Sequence, residues 1–283
     1  KGNGNRLMSA LEDTRLAFIG AGVMGEAMIK GLLSQHLVLP EMIVASDPRP
    51  ERGKELSERY GIATTTNNVE AAGKAQVVVL SIKPQVLATV LAQLRGHIRS
   101  EALVLSIIAG ARIETIARGL EHRKIVRVMP NTPAQIGQGM SVWMSTSEVE
   151  PRQREQAQMI LRALGEEIAV DDEDYLDMAT ALSGTGPAYV FLFMEALIDA
   201  GVHLGFSRRV AQQLVLQTLQ GSVAYARQSN LHPAELRNQV TSPGGTSAEA
   251  LYQLEKGGLR TVLSRAIWAA YQKSRYLGGL NNE

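Results

Sequence analysis

The 283-residue sequence predicts an α/β fold: a doubly wound parallel sheet followed by an all-α C-terminal domain. Three observations predict it. Short apolar runs alternate with helical spacings as far as residue 170, the pattern of a parallel sheet covered by helices on both faces. The first run, Leu16-Ala-Phe-Ile19, leads directly into glycines at G-x-G-x-x-G spacing and then into a helical segment. From residue 173 onward the strand pattern stops and only helical spacings remain.

Composition narrows the function classes. Apolar residues make up 45% and charged residues 20%, as in an ordinary globular protein. The net charge of +1 offers no basic stripe, so no nucleic acid is expected as partner. The absence of cysteine excludes disulfides, thiolate nucleophiles and cysteine metal sites, and it suits a reducing, cytoplasmic setting. No two histidines have ligand spacing, so no metal is expected. No uninterrupted apolar run reaches the roughly 18 residues of a span, so no membrane partner is expected either. Residues 1–7 lack the apolar core of a signal peptide. Residues 1–13 are expected to stand outside the fold as a disordered or appended extension, with Met8 the natural start. The length suits two domains: 14–170 for dinucleotide binding, and 171–283 for the helical part.

The glycine turn makes the first domain Rossmann-like. Ile19 ends the strand, and Gly20-Ala21-Gly22-Val23-Met24-Gly25 follows. Gly20 permits the tight turn, Gly22 lets a pyrophosphate approach the backbone, and Gly25 lets the helix pack close to the sheet. The second strand, 41–47, ends in Ser46 and Asp47, where an acid receives a ribose 2′-OH and an arginine receives a 2′-phosphate. Asp47 points to NADH; Arg49 and Arg52 point to NADPH. Pro48 and Pro50 hold this loop extended, which would turn Arg49 outward.

The third strand, 76–82, is a continuous apolar run that breaks at Ser81-Ile82-Lys83-Pro84, on the carboxyl edge where ligands lie. A strand at 103–110 ends in the small residues Ala109 and Gly110, a helix follows at 113–120, and a strand at 125–129 ends in the rigid loop Pro130-Asn131-Thr132-Pro133. A strand at 140–144, a helix opened by Pro151 and closed by Gly165, and a strand at 166–170 complete the sheet.

In the second half, helices are expected at 174–182, 187–200, 208–228 with Ser207 as cap, a short one from Pro233, 248–255, and 259–276. The helix after Pro187 is apolar nearly all round, which suits an intersubunit core as well as an internal one. His203 and His232 lack orienting partners in sequence and read as structural or solvated. The chemically informative stretch is Thr241-Ser242-Pro243-Gly244-Gly245-Thr246-Ser247, which gathers hydroxyls and glycines at a helix start. Such a start holds a small anion such as a carboxylate; alternatively, Ser247 simply caps a helix beginning at Ala248.

Taken together, these stretches resemble the pyrroline-5-carboxylate reductase family over nearly the whole chain after residue 14. The resemblance is carried by residues 18–25, Ser81-Ile-Lys-Pro84, Val128-Met-Pro-Asn-Thr-Pro133, Leu182-Ser-Gly-Thr-Gly-Pro-Ala-Tyr189 and, most specifically, Gln239-Val-Thr-Ser-Pro-Gly-Gly-Thr-Ser-Ala-Glu-Ala-Leu251. It implies hydride transfer from NADPH, somewhat ahead of NADH, to L-1-pyrroline-5-carboxylate, giving L-proline in the last step of proline biosynthesis. It places the coenzyme on Ile19, Gly20, Ala21, Gly22, Val23, Met24 and Gly25, on Ser46, Asp47, Arg49 and Asn68, on Ser81, Ile82, Lys83 and Pro84, and on Ile107 and Ala109. The substrate would lie on Glu173, Ser242, Gly245, Thr246 and Ser247, with Ser247 and Thr246 as candidates for passing the proton. Ser247 stands where the family has threonine, so the hydroxyl is kept. The resemblance also implies a homodimer through the C-terminal helices and, beyond it, a decamer of dimers.

Two rival classes share parts of this pattern. β-Hydroxyacid dehydrogenases have a similar glycine turn and a helical second domain, but they carry a lysine on its first long helix; residues 187–200 contain none, and alcohol oxidation needs such a base. A nucleotide-binding sensor would keep the glycine turn but would have no use for the hydroxyl-rich loop.

Overall fold

The computed structural model describes residues 10, 11 and 13–280. In chain order the first elements are β1 (Leu16–Ile19), α1 (Val23–Ser34), β2 (Ile43–Ser46), α2 (Pro50–Tyr60), β3 (Ala63–Thr65), α3 (Asn68–Ala72), β4 (Val77–Leu80), α4 (Leu87–Leu94), β5 (Leu103–Ser106) and α5 (Ile113–Leu120). Next come β6 (Ile125–Met129), β7 (Gly139–Ser145), α6 (Pro151–Arg162), β8 (Gly165–Ala169) and α7 (Asp174–Ala179). The rest is helical: α8 (Gly186–His203), α9 (Arg208–Ser229), α10 (Pro233–Gln239), α11 (Thr246–Lys256) and α12 (Leu259–Leu280).

The strands form one sheet in the order β3-β2-β1-β4-β5-β6-β7-β8. β1 lies between β2 and β4, parallel to both. Every residue of β1, β4 and β5 is buried, which explains their unbroken apolar character. Successive residues face opposite sides, so Phe18 joins the core with Met28, Leu56 and Trp143, while Ile19 joins the other with Val78, Leu91 and Ile116.

Three features depart from the sequence reading. The sheet is not wholly parallel, because β7 runs antiparallel to β6. The link between them holds only the 3₁₀ turn Thr132–Ile136, too short for a parallel crossover. The segment after Pro50 is the helix α2, with Pro50 in its first turn. Only Leu56 of α2 is buried, so it carries no apolar stripe for a periodicity argument to find. The expected extension 1–13 is corrected at its inner end: Leu11 is buried in the core and Thr14 bonds back to the Ala10 carbonyl at 3.3 Å. Residues 1–9 and 12 lie outside the described residues.

By contacts the chain forms two compact units. One runs to Thr185 and takes in the chain from Ala270 onward; the other is Gly186–Ala269. α7 belongs with the sheet because its acids are held there: Asp174 pairs with Arg112 at 2.9 Å, and Asp177 accepts from Ser274 at 2.7 Å. Within the helical unit, α8 and α9 approach where a Cβ on Gly201 would lie 3.0 Å from that of Ala211. No residue of α8 is buried, and only Ala211 of α9 is. The run Asp174–His203 is long and apolar enough, by length and composition, to cross a membrane, contrary to the expectation drawn from uninterrupted runs.

Candidate functional site

The carboxyl edge of the sheet carries the first group of candidate residues. Gly20 has φ +93°, and a Cβ there would lie 2.7 Å from the Ser81 carbonyl oxygen and 2.9 Å from Ile82 Cγ2. A Cβ on Gly25 would meet the Gly20 carbonyl oxygen at 2.8 Å. Both glycines are therefore fixed by close backbone packing. Gly22 differs: nothing lies within 4 Å of its would-be Cβ, and it caps α1 without a side-chain bond. Among the described residues the N–H groups of Val23, Met24 and Gly25 have no hydrogen-bond partner, and Val23 is exposed. This is the room and polarity that a pyrophosphate needs, so the turn fits a dinucleotide. Ser81 braces it from below, its hydroxyl donating to the Gly20 carbonyl at 2.6 Å.

Arg52 is a brace that the sequence did not reveal. Its Nε donates to the Ala21 carbonyl at 2.8 Å, and its other nitrogens pair with Glu26 and Glu55. It is thus committed to the protein and is not a free receiver for a 2′-phosphate. Arg59 and Tyr60 also bond Glu26. Burial opposes ionisation of Glu26, but the bonds from Arg52, Tyr60 and Arg59 outweigh it and hold the carboxyl below its ordinary range. The acid in the first turn of α1 is thereby drawn off towards α2.

At the end of β2, Arg49 is not turned outward by its flanking prolines. Its backbone N–H bonds Asp47 Oδ1 at 3.1 Å, and its guanidinium bonds Oδ1 at 2.9 Å and Oδ2 at 3.1 Å. Asp47 Oδ2 also accepts from the Ala21 N–H at 3.3 Å. Burial raises the Asp47 carboxyl, and the bonds from Arg49 and Ala21 more than reverse this, so it lies below its ordinary value. The Arg49 side chain remains 63% exposed above an acid that is 6% exposed.

Beside it, Ser46 donates to Asn68 Oδ1 at 2.7 Å, and Asn68 donates to Gln93 at 2.9 Å. Gly20, Ser46, Pro48, Asn68, Ile82 and Gln93 line one cleft of about 580 Å³ on the β2 side. Sequence reasoning missed Gln93, which is 25 residues from its partner Asn68. On the other side of β1, Pro84 and Ala109 line a second cleft, of about 490 Å³. Ile107 is half-buried against the core, and Lys83 is exposed at the edge.

Glu173, expected near the substrate, has Oε1 engaged by Arg127 and by the Ile113 N–H at 2.8 Å. Arg127 is only 4% exposed and Glu173 is half-buried, so this ion pair ties the residue before α7 to β6.

In the helical unit the hydroxyl-rich loop leads into α11. The helix begins at Thr246, with Gly245 as its cap and no side-chain cap bond. Ser247 is therefore not the cap; it stands in the first turn. Gly244 has φ +69°, and the Gly245 N–H bonds the Ser242 carbonyl at 3.0 Å, closing a tight turn. Among the described residues, the hydroxyls of Ser242, Thr246 and Ser247 have no internal partner, whereas that of Thr241 donates to the Arg237 carbonyl at 2.6 Å. Unsatisfied N–H groups and free hydroxyls at a helix start bind a carboxylate well.

The comparisons with known proteins now decide the family. The model described as pyrroline-5-carboxylate reductase dimerisation matches residues 173–277. The model described as NADP oxidoreductase, coenzyme F420-dependent, matches residues 15–110. The pyrroline-5-carboxylate reductase of Synechocystis sp. is 41% identical over 93% of this chain and 98% of its own. The chain belongs to the pyrroline-5-carboxylate reductase family. The reductase of Pseudomonas aeruginosa is 42% identical over 93% of the chain and 96% of its own. Among solved structures, the Plasmodium falciparum pyrroline carboxylate reductase with NADP bound has a TM-score of 0.86 at 33% identity, covering 94% of this chain and 99% of that one. The Coxiella burnetii reductase has a TM-score of 0.87 at 35% identity, covering 93% and 98%. The reductase dimerisation region holds α8 and the whole of the apolar run noted above.

Proposed function

We propose that this reductase works as two binding platforms, each built at a helix start whose N–H groups the fold leaves unsatisfied. The enzyme reduces L-1-pyrroline-5-carboxylate to L-proline with NADPH or NADH. The glycine turn and the ends of β2, β4 and β5 hold the coenzyme; the loop at 241–247 holds the substrate carboxylate. The observation that carries the second assignment is the start of α11, with its free N–H groups and the free hydroxyls of Ser242, Thr246 and Ser247. The bound coenzyme supplies the hydride.

The protein's own task is mainly position and charge. A protonated cyclic imine is already electrophilic, so no strong base is required. Where the imine arrives unprotonated, Ser247, or Thr246 beside it, donates a hydrogen bond to the ring nitrogen, passes it a proton as hydride adds to carbon, and regains that proton from solvent water. Glu173 acts by orienting α7 through Arg127 rather than by proton transfer. Arg49 covers Asp47 and occupies its oxygens, which removes the acceptor for a ribose diol and leaves a cation facing solvent. That arrangement favours a 2′-phosphate, hence NADPH ahead of NADH.

The exposed apolar side chains of α8, among them Phe191 at 61% and Leu192 at 67%, are what a subunit interface covers, so the chain forms a homodimer through its C-terminal helices. A decamer of dimers is the larger assembly the resemblance implies, and a light-scattering mass separates the two. The cytoplasm, where nicotinamide coenzymes are kept reduced, is the proposed compartment.

Ser247→Ala tests the loop. The expected outcome is a ten- to hundredfold lower kcat, about the cost of one lost transition-state hydrogen bond, with NADPH affinity unchanged. Full turnover at saturating imine would exclude the proton-passing role.

A further inference from the structure

Asp177 on α7 is only 1% exposed. A carboxylate so deeply buried persists only where its lone pairs are met. Oδ1 accepts from Ser274 Oγ on α12 at 2.7 Å. Oδ2 faces an Arg112 nitrogen at 3.4 Å, a long contact because that nitrogen also bonds Asp174 at 2.9 Å. The serine hydroxyl is thus the shorter of its two side-chain bonds. One turn further along α12 stands Gly278, whose would-be Cβ lies 3.5 Å from the Gly110 carbonyl oxygen. Residues four apart share a helix face, so the face of α12 that is bonded to α7 also lies close against the turn after β5.

That face borders the cleft of about 490 Å³, where Lys273, Ser274 and Leu277 stand with Thr180, Pro84 and Ala109. In an open α/β sheet the adenosine lies on the β2 side of the switch point, the pyrophosphate at α1 and the nicotinamide on the far side. The cleft of Ser46 and Asn68 is then the adenosine end, and the cleft of Pro84 and Ala109 is the nicotinamide end.

We propose that Asp177 and Ser274 are positioning residues for the nicotinamide end of the coenzyme: their hydrogen bond holds the C-terminal turns of α12 as the wall of its cleft. Neither residue carries out chemistry. Loss of the bond frees the wall to rotate and leaves the adenosine end untouched. This rests on the coenzyme placement proposed above.

The test compares NADPH with adenosine 2′,5′-bisphosphate, which lacks the nicotinamide, by calorimetric titration of the assembled enzyme. Ser274→Ala is expected to weaken NADPH about tenfold, the scale of one hydrogen bond, while the fragment binds within about twofold of wild type; Ser274→Thr restores NADPH binding. Gly278→Leu, which pushes the same face off Gly110 and keeps the bond, gives the same split. Equal weakening of NADPH and the fragment, or weakening of neither, overturns the proposal. Ala109→Leu separates the two layers of the reading. If it weakens NADPH and Ser274→Ala does not, the positioning role fails alone; if it leaves NADPH unchanged, the coenzyme placement fails.

Discussion

The two units bury their apolar residues in different ways. The sheet unit keeps a complete core on each face of its strands, with Phe18, Ile19, Val78 and Val79 fully shielded by the chain itself. The helical unit opens with a long, mostly apolar helix, yet α8 buries none of its residues and Leu192 is 67% exposed. The difference teaches that apolar content alone does not say which chain covers a helix. A stripe on one face finds its partner within the chain; an all-round apolar helix needs more neighbours than a unit of this size supplies. The sheet unit is therefore expected to tolerate dilution, and the helical unit to depend on a second copy.

The largest expected effect comes from breaking that dependence. Leu192→Asp changes a residue that is exposed in one chain, so a surface substitution rule would rate it mild. Here it is expected to abolish assembly, read as halved or smaller particle mass by light scattering. Activity falls by about two orders of magnitude, since a symmetric interface loses the residue from both copies. Retained assembly would erase the contrast between the units. In the sheet unit, Gly20→Ala drives a methyl to 2.7 Å from the Ser81 carbonyl oxygen at a φ that side chains avoid. A loss of about 3 kcal/mol of stability and of coenzyme binding is expected by thermal and ligand titration, with particle mass unchanged.

The smallest effect sharpens the account of the brace around α1. Glu26 lies below its ordinary value of 4.5, because bonds from Arg52, Tyr60 and Arg59 outweigh its burial. A lowered acid contributes stability above its unfolded value and loses it as pH falls through the folded one. Glu26→Gln is therefore expected to cost about 1 kcal/mol near neutrality. Denaturant titrations of the two proteins should converge as pH falls from the ordinary value of 4.5 through the lower folded one.

Much of the site was legible because its signals are local. Gly20, Gly22 and Gly25 announce themselves by spacing beside an apolar run, and the loop at 241–247 by its density of hydroxyls. What stayed hidden depends on partners far apart in sequence. Arg52 reaches Ala21 across 31 residues, Ser81 reaches Gly20 across 61, and Ser274 reaches Asp177 across 97. No spacing rule connects such pairs. The reversal of β7 was hidden because strand periodicity is the same in either direction, and the burial of Leu11 because so short a stretch before the first strand is too brief for a periodicity argument. Ser247 was misjudged as a possible cap because Gly245, which has no side chain to cap with, ends the loop two residues earlier.

The most direct measurement is the initial rate of NADPH and NADH oxidation by the purified protein, with and without L-1-pyrroline-5-carboxylate. The account predicts oxidation only when imine and coenzyme are both present, faster with NADPH than with NADH at equal concentration, with the preference reduced in Arg49→Ala. Coenzyme binding without imine-dependent oxidation of either nucleotide would contradict it, and would remove the carboxylate from the loop at 241–247.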